Sequence, residues 1–117
     1  MRILFLYPGL NPAYPVQLGS LSAYIKRAGH ETRLFAPVIK NWQVPGRVFT
    51  ELLREIHEFN PDFVAACGYE LALTWTDQLF SFAKNHAAPK ATTILGGYFP
   101  SACPHDAIKL PFVDVIC

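Results

Sequence analysis

Gly96-Gly97, at the end of an apolar run and followed by Tyr98-Phe99-Pro100-Ser101, is the motif here with the most specific physical demand. Two residues without Cβ atoms let the backbone pass close to a flat or extended ligand and take positive φ; the same pair also makes a tight turn beneath a bulky neighbour. The other residues that could carry chemistry are dispersed. Cys67, Cys103 and Cys117 are an odd number at wide separations, matching neither a disulfide framework nor a paired-thiolate metal site, so they read as reduced structural thiols. His30 sits at a helix-to-strand junction, His57 and His86 fall late in helices where a cation suits the dipole, and no histidine pair has ligand spacing. His105 and Asp106 lie near the glycine loop, but adjacent residues point differently, which argues against a dyad. The residues therefore suggest binding, with no catalytic group and no metal site.

The ten prolines show which elements must position that loop. They fall between apolar runs and never inside one, and since proline lacks an N–H and fixes φ, they mark element boundaries. Five strands are expected, at Arg2 to Tyr7, Glu31 to Ala36, Phe63 to Cys67, Thr92 to Leu95 and Phe112 to Ile116. Ile-Leu-Phe-Leu, Phe-Val-Ala-Ala and Thr-Thr-Ile-Leu lack the alternation of a half-wet sheet, so they predict parallel strands covered by helices on both faces. Leu18, Leu21, Ser22, Ile25 and Ala28 form one helical stripe, closed by Gly29. Val48, Phe49, Leu52, Leu53, Ile56 and Phe59 form a second, with Arg54 and Glu58 paired on its outer side. Thr74 or Thr76 is expected to cap a third helix carrying Leu79, Phe80, Phe82 and Ala83, and Ser101 with Pro104 to open a short fourth. The expected fold is α/β: a doubly wound, five-stranded parallel sheet, flavodoxin-like or Rossmann-like, in three αβα layers. It forms one domain over residues 1–117, and a last strand ending uncovered at Cys117 suggests a domain excised from a longer protein. Ligands of such sheets bind beyond the carboxyl ends of the strands, here Tyr7 to Pro15, Cys67 to Thr74 and Gly96 to Ser101.

Composition and loop chemistry exclude several functions. Hydrophobic residues make up 51% and charged ones 16%, and a net charge of +1 with scattered Lys and Arg leaves no basic stripe for a nucleic acid. The longest early apolar run, Ile3 to Tyr7, is too short for a membrane span or a signal peptide, so a cytoplasmic protein is expected. The first turn, Pro8-Gly9-Leu10-Asn11-Pro12, has lost two amides to proline and cannot cradle a phosphate as a nucleotide loop does. Tyr7 and Cys67-Gly68 stand where a phosphoacceptor receiver would need acidic magnesium ligands. No Ser or Thr precedes Ser20 in the stretch where flavodoxin chemistry would want hydroxyl side chains.

Arg2-Ile-Leu-Phe-Leu-Tyr-Pro, Leu18-Gly-Ser-Leu, Ala28-Gly-His-Glu, Asn60-Pro-Asp-Phe-Val, Leu95-Gly-Gly-Tyr-Phe-Pro-Ser with Pro104, and Val113-Asp-Val-Ile occur in that order. Together they resemble the cobalamin (vitamin B12)-binding N-terminal domain of radical S-adenosylmethionine enzymes, of the magnesium-protoporphyrin IX monomethyl ester oxidative cyclase type. The resemblance implies a corrinoid held at the carboxyl edge by Tyr7, Pro8, Gly9, Asn11, Cys67, Gly68, Glu70, Gly96, Gly97, Tyr98 and Ser101, its nucleotide tail beside the glycine pair. The Asp-x-His-x-x-Gly loop that ligates cobalt in methionine synthase and related mutases is absent, which implies binding without a histidine axial ligand. Cys67 and Glu70 replace the Ser and Thr common after the third strand, and a Glu70 carboxylate would repel the tail's phosphate. A [4Fe-4S] cluster and S-adenosylmethionine would belong to a downstream radical domain, the implied partner. Two alternatives remain at this point: a corrinoid-free docking domain of the same family, and the N-terminal half of a two-domain glycosyltransferase.

Overall fold

A computed structural model describes residues 1–10, 15–68 and 72–117. Strands β1 (Arg2–Leu6), β2 (Glu31–Phe35), β3 (Phe63–Cys67), β4 (Thr92–Gly96) and β5 (Val115–Ile116) form one sheet in the order β2-β1-β3-β4-β5. Every pairing is parallel. Helices α1 (Val16–Arg27), α2 (Gly46–Phe59), α3 (Leu73–Phe82), α4 (Tyr98–Ala102) and α5 (Pro104–Ala107) lie in the crossovers, and a π-helical segment, Ala83–Ala87, continues α3. This is the expected doubly wound architecture, with strand order reversing between β1 and β3. The described helices are all too short or too polar to cross a membrane.

Period-two alternation divides the strand residues between two unequal faces. Leu4, Leu6, Val64 and Leu95 pack against Val48, Leu52 and Ile56 of α2 and Trp75, Leu79 and Phe80 of α3 in the main core. Phe5 and Ala65 face the other way, where α1 supplies Leu18. Coverage of both faces is thus lopsided: of the expected α1 stripe only Leu18 is buried, while Leu21 and Ala28 are exposed. The reason is geometric, since small Ala65 on the sheet leaves the outer part of α1 without a surface to meet.

Other expectations need correction. The third helix begins at Leu73 after Ala72 without a side-chain cap; Thr74 and Thr76 lie inside it, and the buried Thr76 hydroxyl has no hydrogen-bond partner. Glu58 pairs with Arg33 of β2 at 3.5 Å, and not with Arg54, because Arg33 also reaches Glu55 at 3.1 Å across the helix–sheet contact. Asn60 closes α2 with φ of 49°, and its N–H donates to the Ile56 carbonyl at 2.7 Å. Ser101 and Pro104 belong to two successive short helices.

The fifth strand is also shorter than its apolar run, because Asp114 is used as a clamp. Its carboxylate accepts from the Thr93 N–H at 2.9 Å and pairs with Lys84, while the Thr93 hydroxyl donates to the Phe112 carbonyl at 2.6 Å. Partial burial opposes ionisation of Asp114, but the hydrogen bonds from Lys84 and Thr93 prevail and hold its carboxyl below the usual range. A depressed folded-state value stabilises the fold above the unfolded carboxyl's value of about 4, and that contribution disappears as pH falls through the folded value. Below about pH 4 the wild type should therefore lose stability more steeply than Asp114→Ala. Parallel melting curves of the two proteins across that range would refute the clamp.

Candidate functional site

Beyond β3 and β4 the chain is clasped by its own backbone. The Gly68 N–H donates to the Gly96 carbonyl at 2.6 Å, and the Phe99 N–H donates to the Gly68 carbonyl at 3.0 Å. Gly97 has φ of +99°, and a Cβ there would meet the Cys67 Sγ at 2.6 Å and the Gly68 nitrogen at 3.3 Å. Gly97 is thus the tight turn beneath a neighbour, and the neighbour is a sulfur. Gly96 lies in register with Cys67, one strand away, and a Cβ on it would come 3.1 Å from the Cys117 Sγ. The two thiols therefore flank a strip of bare backbone. Burial first, and then the neighbouring Cys117, push the Cys67 thiol up, so it remains protonated and weakly nucleophilic at neutral pH.

This rim is the upper end of a groove of about 370 Å³ between α1 and the thinly covered sheet face. Ile3 and Phe5 of β1, Leu18 and Leu21 of α1, Ala65 of β3 and Ile94 of β4 form its walls, and Cys67, Gly96, Gly97 and Cys117 its rim. Among the described residues, Gln17 is the one polar amide along it and no histidine, Asp or Glu lines it. The arrangement can desolvate a flat apolar group and pass the rest of a ligand over the carboxyl edge.

Of the residues expected at the site, Cys67, Gly68, Gly96 and Gly97 are brought into mutual contact. Tyr7 directly follows β1 on the groove's face of the sheet, packing against the cluster of Phe5, Leu18 and Ala65. Pro8 and Gly9 turn away: the Gly9 N–H donates to the Pro37 carbonyl at 3.2 Å, and Gly9 bridges to Val38 beside β2. Tyr98 stands 77% exposed on the edge. The Ser101 hydroxyl donates back to the Gly97 carbonyl at 2.8 Å, which commits it to the turn. Asn11 and Glu70 lie outside the described residues.

The groove walls were missed by motif reading, although Ile3, Phe5, Ala65 and Ile94 share one strand parity. Also missed was the meeting of Cys67 with Cys117, set by strand register and not by spacing along the chain. Among the described residues no group of three or more His, Cys, Asp or Glu could hold a metal ion.

A family model described as B12 binding domain matches residues 10–117. A cobalamin-binding protein from Desulfitobacterium hafniense DCB-2 is structurally similar, with a TM-score of 0.69 and 14% identity over 99% of this chain and 52% of that one. The chain thus spans about half the length of that protein. An iron-containing alcohol dehydrogenase from Thermococcus thioreducens is similar with a TM-score of 0.56 and 22% identity, over 82% of this chain and 30% of the other. The pseudo-receiver domain of the CikA protein is similar with a TM-score of 0.57 and 14% identity, over 99% and 82%. At these identities the three structures share the fold with this chain. Comparison with curated protein sequences gives no match.

Proposed function

The chain belongs to the B12-binding domain family, and from that premise we propose that it holds a cobalamin with the nucleotide tail in the apolar groove under α1. The observation that carries this is the continuity of the groove with the bare Gly96-Gly97 rim at the carboxyl edge, the edge at which doubly wound sheets bind ligands. The residues fit such a group. Leu18, Ala65 and Ile94 would sandwich a flat apolar base, and Gly96 offers backbone where a side chain would block the passage. Tyr7, Gly97 and Tyr98 would face the macrocycle. When bound, cobalamin supplies the cobalt-centred methyl-transfer or radical chemistry; the protein excludes water from the tail and orients the ring.

The finer reading is a binding module without a histidine axial ligand, working in the cytoplasm as one domain beside a radical S-adenosylmethionine domain that carries a [4Fe-4S] cluster. The sequence resemblance supports this reading, since the Asp-x-His-x-x-Gly loop is absent from the sequence.

The protein mixed with hydroxocobalamin should keep the pigment through desalting and shift its visible spectrum. Ala65→Phe, which fills the groove from its floor on the face away from the main core, should weaken retention by about tenfold or more in a protein that still folds. Colourless wild-type protein, or equal retention by a folded Ala65→Phe, would defeat the proposal.

A further inference from the structure

A second feature of the carboxyl edge lies outside the groove. The segment between β2 and α2 carries Trp42 at 70% exposure, an unusual position for an indole. Trp42 does not hang on a loose loop. The Trp75 Nε1–H donates to the Asn41 carbonyl at 2.8 Å, the Val44 N–H donates to the Gln78 Oε1 at 2.9 Å, and the Gln78 Nε2–H donates to the Trp42 carbonyl at 3.2 Å. The Trp42 ring also stacks against Trp75, 6.4 Å between centroids and 28° between planes. Three hydrogen bonds and a stack therefore pin the segment to α3 and hold an apolar ring in water.

Leu10, beyond β1, joins Lys40, Trp42 and Trp75 around a small cavity of about 150 Å³. These residues come from the carboxyl ends of β1 and β2 and from the helix after β3, so the platform adjoins the point where strand order reverses. Trp75 and α3 pack on the main-core face and the groove on the other, so a flat ligand crossing the edge would have its tail on one side and this platform on the other.

We propose that Trp42, supported by Trp75 and flanked by Leu10 and Lys40, is a positioning residue that covers part of the corrin macrocycle's rim; this rests on the cobalamin-binding reading above. A large flat ring with apolar edges and amide arms matches an indole face beside an ammonium donor. Because the loop is already ordered, contact costs little further conformational freedom.

The test titrates hydroxocobalamin into the full chain and reads the visible-band shift. Trp42→Ala should weaken binding about tenfold with an unchanged melting temperature, and Trp42→Phe should restore most of it. Acrylamide quenching of tryptophan emission gives a second readout. Trp75 is 3% exposed, so the accessible signal comes from Trp42, and bound cobalamin should shield it. Equal affinity in Trp42→Ala, with Ala65→Phe still impaired, would overturn the platform and leave the groove reading standing. Absence of binding by the wild type would overturn both. A change in oligomeric state of Trp42→Ala on gel filtration, with pigment retention intact, would assign the surface to a second copy of the chain and also overturn the proposal.

Discussion

Gly97→Ala should lower the stability of the fold by about 1–3 kcal/mol through backbone strain, with a steric contribution on top. The strain arises because Gly97 sits at φ of +99°, a conformation that L side chains rarely adopt. The steric part arises because the new methyl would lie 2.6 Å from the Cys67 sulfur. The two parts separate in a double-mutant cycle. Cys67→Ala removes the sulfur, so Gly97→Ala should cost less in that background than in the wild type, without becoming neutral. Urea unfolding of the four proteins measures both quantities. A Gly97→Ala protein as stable as the wild type would show that the turn can be built another way. It also follows that loss of cobalamin by a Gly97 variant is uninformative unless folding is measured beside it, which is why Ala65→Phe is the cleaner probe of the groove.

Leu95→Ala should destabilise the fold by about 2–5 kcal/mol. Leu95 is completely buried near the carboxyl end of β4, and its Cδ1 lies 3.0 Å from where a Cβ on Gly68 would be. Truncation would leave a cavity beneath the clasp that joins the two loops. Leu21→Ala, on the groove wall and 46% exposed, should change stability by less than about 0.5 kcal/mol. The same chemical deletion thus reports the asymmetry of the two sheet faces, and equal losses at the two sites would contradict it.

That asymmetry marks the boundary of what sequence reading could reach. The strands were legible because Ile3 to Leu6 and Phe63 to Ala66 are apolar runs, the first followed by Pro8 and the second preceded by Pro61, and backbone pairing extends such runs whatever surrounds them. The α2 stripe was legible for a similar reason, since helical period places Val48, Leu52, Ile56 and Phe59 on one face, and all four are buried. The α1 stripe follows the same period more weakly and has a different outcome. Periodicity states which residues share a face; it does not state whether a surface exists to receive that face. The ion pairs show the same division, because Arg54 and Glu58 are neighbours by helical geometry while Arg33, 25 positions before Glu58, reaches it only once β2 and α2 have packed.

By itself the sequence determined the doubly wound sheet and the edge at which a ligand should be sought, because these follow from local backbone preference and hydrophobic pattern. Only the tertiary structure decided what the glycine pair is for, bringing Cys67 and Cys117 to either side of Gly96 and opening an apolar groove below them. It also set Trp42 on a pinned platform across the same edge. The physical reason is that contacts between residues distant along the chain depend on strand order, register and the size of facing side chains, quantities that no local period encodes.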